Sequence, residues 1–201
     1  MSDLQAFLTL GFRHITDLAA MDHILFLLAL AAIYRGRDWR RSLWVISAFT
    51  IGHSATLALA LAVTGAVVLP TALIEFLIPL TIVATCVENL LVRDRARAWW
   101  GGRYRPVFAG VFGLVHGAGF ANYLRGLFVA PIALPLFGFN LGIELGQIAV
   151  LALAAGALAG LDRCLGALAP HAGSPLRLRV VLVSTLVAVV AAHWAVQRSP
   201  W

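Results

Sequence analysis

Six long apolar runs, divided by short segments that hold nearly all the arginines, constrain this chain more than any other feature. The runs cover about 11–34, 42–64, 71–92, 106–123, 133–160 and 178–197. At a rise of 1.5 Å per residue, such lengths suit an apolar layer roughly 30 Å thick. The runs are continuous and do not alternate, which argues against a transmembrane barrel. The expected fold is therefore all-α: a polytopic bundle of about six transmembrane helices. Composition agrees, with 61% hydrophobic and 12% charged residues, against about 45–50% and about 25% in soluble domains. The 201 residues leave only short loops around six spans, so residues 1–201 are read as a single integral membrane domain.

Every basic residue is arginine, and the net charge is +6. A nucleic-acid partner is not expected, because such a partner needs a solvated basic face. Instead the arginines follow topology. Twelve lie in the segments 35–41, 93–105 and 160–179, and only Arg13, Arg125 and Arg198 lie at the other ends of the runs. By the positive-inside rule the twelve face the cytoplasm and both termini lie outside. Residues Met1 to Leu10 have no basic n-region and no cleavage pattern, so no removable signal peptide is expected. Cys86 and Cys164 are far apart and form no CxxC. They read as small apolar-like residues.

Depth follows from the spans, since the bilayer centre lies about ten residues from either edge. That count reaches Asp22 and His23 in the first run, His53 in the second, His116 in the fourth and Glu144 in the fifth. An ionisable group at a helix centre costs about 2.5–3.5 kcal/mol on insertion scales. Five of them facing lipid unpaired would exceed a typical net stability. They are expected to face a shared, water-accessible interior, where imidazole and carboxylate suit a divalent transition metal or a proton relay.

A second group lies nearer the outside. His14 and Asp17 open the first run and Glu75 opens the third, and these three could form an outer vestibule for a cation. His14, Asp17 and Met21 share the spacing of one helical face. Glu88, beside Asn89, reads either as an inner exit group or as a partner of the arginines at 93–97. Asn140 and Gln147 flank Glu144 as further polar groups. His193 is expected to hydrogen-bond between helices, and His171 to lie solvated in a loop.

Small residues support close packing. Gly138, Gly142 and Gly146 make a GxxxGxxxG ridge, Gly52 precedes His53, and Gly117 and Gly119 follow His116. Phe49-Thr-Ile-Gly-His53-Ser-Ala and Phe112-Gly-Leu-Val-His116-Gly-Ala share Phe four residues before His and Ala two after, which hints at a parallel repeat.

Several stretches resemble the HupE/UreJ family of hydrogenase and urease accessory membrane proteins, regarded as nickel permeases. They are Gly11-Phe-Arg-His14 with Asp17 and Met21-Asp22-His23-Ile-Leu-Phe26; Ala48 to Leu57; Val87-Glu88-Asn89; Gly113 to Phe120; and Gly138 to Gln147. The spacing between His14 and Asp22 departs from the short version of the first signature, and the tail after Gly160 carries none. The resemblance implies a permease in a bacterial cytoplasmic membrane, with Ni2+, cobalt or another first-row ion as transported substrate and no prosthetic group. Asp22, His23, His53, His116 and Glu144 would then be the metal site. A homo-oligomer stays open. An intramembrane zinc hydrolase using the same cluster is the alternative, since histidines and acids at one depth can activate water. A haem protein is a third reading.

Overall fold

A computed structural model describes residues 3–18, 21–62, 70–92, 102–125, 133–168 and 174–201. Its elements are α1 (Asp3–Thr16), α2 (Met21–Ala32), a 3-10 turn (Gly36–Asp38), α3 (Trp39–Ala62), α4 (Thr71–Val92), α5 (Arg105–Arg125), α6 (Ala133–Leu168) and α7 (Pro175–Gln197). No strand occurs among the described residues. The expected loop residues around 65, 93–101, 126–131 and His171 lie outside the described residues.

Four segments are long and apolar enough to cross a membrane: Gly36–Ala60, Thr71–Val92, Ala133–Leu168 and Pro175–Gln197. α1 and α2 make a fifth when taken as one span bent by 66°. The continuous first helix expected over 11–34 is thus corrected. The chain leaves helix after Thr16 and resumes it at Met21. No proline or glycine marks the break; Asp17, a residue type that competes with helical hydrogen bonding, stands at it. α5 is helical over its expected run but falls outside the apolar set, because His116, Asn122 and four glycines dilute it. α6 continues to Leu168 instead of stopping near Gly160.

Glycines decide which helices touch. A methyl group added at Gly142 would overlap the Leu8 carbonyl oxygen, and one at Gly11 would overlap that of Phe139. α1 and α6 therefore meet backbone to backbone. Leu4, Leu8 and Phe12 meet Gly138, Gly142 and Gly146 in register, so the two helices run parallel. α3 and α5 repeat the arrangement, with Phe49 against Gly113 and His53 against Gly117. Close approach of this kind is what small residues allow in apolar surroundings, where dispersion contacts replace the hydrophobic effect between helices.

The contacts of α4 with α5 and α7 run antiparallel. Thr81 meets His116 and Glu88 meets Arg105 between α4 and α5. Asn89 meets Ser184 between α4 and α7, where Phe76 also meets Trp201 beyond the end of α7. With α1 and α2 counted as one broken span, direction alternates along the chain. Phe26, Phe49, Phe139, Ile82, Leu57 and Ile143 are among the fully buried side chains of the core. Cys86 is buried and free, as expected, whereas Cys164 is exposed, which corrects its reading as a core residue.

Candidate metal centre

The two glycine-mediated pairs bring histidines from four helices to one place. His14 lies in the last turn of α1 and His23 in the first turn of α2. His53 and His116 come from the packed faces of α3 and α5. Ring centroids stand 4.6 Å apart for His14–His23, 5.1 Å for His23–His116, 5.9 Å for His14–His53 and 6.3 Å for His23–His53. One ring nitrogen from each of His14, His23 and His53 lies within 4.8 Å of the others. Metal–nitrogen bonds of about 2.0–2.1 Å place ligand atoms about 3–4 Å apart, and the 4.8 Å limit is only a little wider than that.

These nitrogens are otherwise orphans. Both ring nitrogens of His23 and His53, Nε2 of His14 and Nδ1 of His116 are buried without a hydrogen-bond partner among the described residues. Leaving a buried polar group unsatisfied costs about 1–3 kcal/mol. Imidazole lone pairs held this way suit a first-row cation. The surroundings are aromatic: Phe120 lies 3.9 Å from His14 and stacks on Phe139, while Phe49 and Phe26 flank His116 at 5.1 and 5.5 Å. Such walls lower the local dielectric and strengthen any ion–ligand interaction.

His116 is oriented from outside the cluster. Thr81 donates its hydroxyl proton to the Ile78 carbonyl at 2.7 Å, so the 3.0 Å contact with His116 Nε2 is completed by the ring N–H. That tautomer leaves Nδ1 as an acceptor.

The carboxylates sit apart from the imidazoles. Asp22 is held by Arg198 Nη1, at 3.2 and 3.1 Å from its two oxygens. Glu144 accepts a 2.5 Å hydrogen bond from Ser47, and Gln147 accepts one from Thr50 at 2.9 Å. Asn140 Oδ1 is buried without a partner among the described residues. His14, read from sequence as part of an outer vestibule, lies inside the histidine cluster. Asp17 and Glu75 are exposed and are not brought to it. The helix break explains the difference, because it removes His14, Asp17 and Met21 from any common helical face.

Glu88 faces Arg105 and Tyr104, which both donate to it. Arg105 also donates to Asn89 Oδ1 at 2.6 Å, and Asn89 donates to the Ala29 carbonyl at 2.7 Å. Thus Asn89 ties α2, α4, α5 and α7 together. The arginines at 93–97, offered as partners of Glu88, lie outside the described residues. His193 is corrected: it is exposed on α7 and makes no hydrogen bond to another helix among the described residues.

An all-helical chain with apolar spans and a cluster of buried histidines has the make-up of an integral membrane protein. A family profile described as HupE / UreJ protein matches residues 1–198. The chain belongs to the HupE/UreJ family, whose members are metal-transporter-like, permease-like accessory membrane proteins rather than enzymes. Neither a curated protein nor a solved structure matches the chain.

Proposed function

We propose that this protein carries a divalent transition-metal cation, with nickel the first candidate and cobalt the second, across the cytoplasmic membrane. The observation that carries the reading is the approach of His14, His23 and His53 to within 4.8 Å, with buried ring nitrogens that no described residue hydrogen-bonds and aromatic rings beside them. The cation is cargo and no prosthetic group takes part. With the arginine-rich end inside, Asp17 and Glu75 gather the ion at the outer end. The histidines then replace part of its water shell. Affinity alone selects poorly among first-row ions, so the number and spacing of imidazoles set the choice.

Inward release follows one face of α4. Thr81, Thr85 and Glu88 recur at helical spacing from His116 toward Arg105. The Glu88–Arg105 pair closes that end and must part for the ion to leave. Among the described residues no nucleotide-binding loop exists to drive the step, and flow down the gradient is the simplest mode.

The test is uptake of Ni2+, Co2+ and Zn2+ into vesicles holding the full chain, beside equilibrium binding by elemental analysis. His53→Ala and His23→Ala are expected to lose saturable uptake while the helical signal stays unchanged. Wild-type uptake in both variants, or no metal bound by the native chain, would overturn the reading.

A further inference from the structure

A second cavity lies away from the histidines, at the end of the bundle where α2, α3, α6 and α7 meet the arginine-bearing segments. Its volume is about 880 Å3. One wall is a single face of α6, on which Ile148, Leu151, Ala155 and Leu158 recur at three- and four-residue spacing. The same face ends in Asp162 and Arg163. A groove that is apolar along one helix face and charged at its end has the shape of an amphiphile.

The charged end also reaches past an apolar layer that begins near Ala133. Arg163 stands roughly 45 Å along α6 from Ala133 at 1.5 Å per residue, whereas the apolar layer is roughly 30 Å thick. Trp39, 56% exposed, lines the same mouth, and tryptophan concentrates at the membrane–water boundary.

Three arginines and one acid line the mouth: Arg35, Arg163, Arg179 and Asp162. Arg179 is fully engaged, with Asp162 at 2.6 Å and the carbonyls of Ala32 and Tyr34 at 3.1 and 2.7 Å. Those bonds also satisfy carbonyls at and just past the end of α2, where a cation is favoured. Arg35 and Arg163 are exposed and form no ion pair among the described residues. Arg35 and Arg163 thus add positive charge at the mouth above an apolar groove, with the Asp38 carboxylate accepting from the Arg35 backbone N–H at 3.2 Å.

We propose that this cleft binds an anionic phospholipid, its acyl chain along Ile148–Leu158 and its phosphate between Arg35 and Arg163. A free phosphate would leave the apolar wall without an occupant. Basic pockets between helices on the cytoplasmic side recognise anionic headgroups by this combination. The proposal does not depend on metal transport.

The experiment places the full chain in nanodiscs of equal phosphatidylglycerol and phosphatidylcholine, extracts it gently, and counts retained lipids by native mass spectrometry. Wild type is expected to keep phosphatidylglycerol in preference. Arg35→Ala and Arg163→Ala should each lower that preference roughly fivefold, while Arg13→Ala, outside the cleft, keeps it. Ala155→Trp, which fills the groove, should lose both lipids. Equal retention of the two lipids by wild type, or a preference that survives in the double arginine variant, would overturn the proposal. So would a lipid-free dimer that Ala155→Trp converts to monomer, which would assign the cleft to a second copy.

Discussion

Arg198, one residue beyond α7, holds both carboxylate oxygens of Asp22, the residue next to His23. The guanidinium also lies 5.3 Å from the Trp194 ring centre, and Trp201 meets Phe76 on α4. The C-terminal segment thus ties α7 to the start of α2 and to α4, and a built-in cation occupies the acid that precedes His23 in sequence.

Removing that guanidinium should release Asp22 toward an incoming metal. Arg198→Ala is expected to raise metal affinity and to sustain uptake at low metal concentration. The pair is 31% and 21% exposed, so the stability change should stay within about 1 kcal/mol. Calorimetric titration and thermal unfolding check both parts. A loss of uptake would show that the pair is needed closed.

Thr81 fixes the His116 ring, and groups that orient a metal-site imidazole matter about 10–100-fold in affinity. Thr81→Val, which keeps the shape and removes the hydroxyl, is expected to weaken metal binding within that range. Thr81→Ser should restore most of it. Binding isotherms of the two variants make the comparison, and equal affinity in both would show that His116 needs no support.

The glycine seams give a stability prediction with its own control. Gly52→Ala would set a methyl against the Gly110 carbonyl oxygen, and Gly142→Ala against that of Leu8. Each should destabilise by about 1–3 kcal/mol through overpacking and open the histidine cluster. Among the described residues nothing lies within 4 Å of a methyl at Gly156 or Gly160, so alanine there should be neutral or gain up to about 1 kcal/mol from helix propensity. Thermal unfolding in one detergent ranks all four.

Glu88 and Arg105 make a prediction about pairing. Arg105 is 3% exposed, and breaking a buried pair from one side costs about 3–5 kcal/mol. Glu88→Gln is expected to lose stability on that scale, while the double change Glu88→Gln with Arg105→Met should recover much of it. A double-mutant cycle measures the recovery; additive losses would mean that the two groups act separately.

Helix boundaries were largely readable because an apolar run of fixed length has few alternatives to a helix, and α4 matches its expected run of 71–92. The convergence of His23, His53 and His116 was readable too, since equal depth on separate helices comes from counting residues. Their partners were not. The same count assigns Asp22 and Glu144 to that depth, yet contacts depend on azimuth around each helix and on which helices adjoin. Those are set by the backbone contacts at Gly113, Gly117 and Gly142.

The sequence by itself determined an all-helical, membrane-embedded chain, because hydrophobic length is a local property. Only the tertiary structure decided that the helix breaks after Thr16, that His14 joins His23 and His53, and that Arg198 claims Asp22. Each of these depends on what lies across a gap between helices, and residues far apart in the chain meet there only after the backbones have packed.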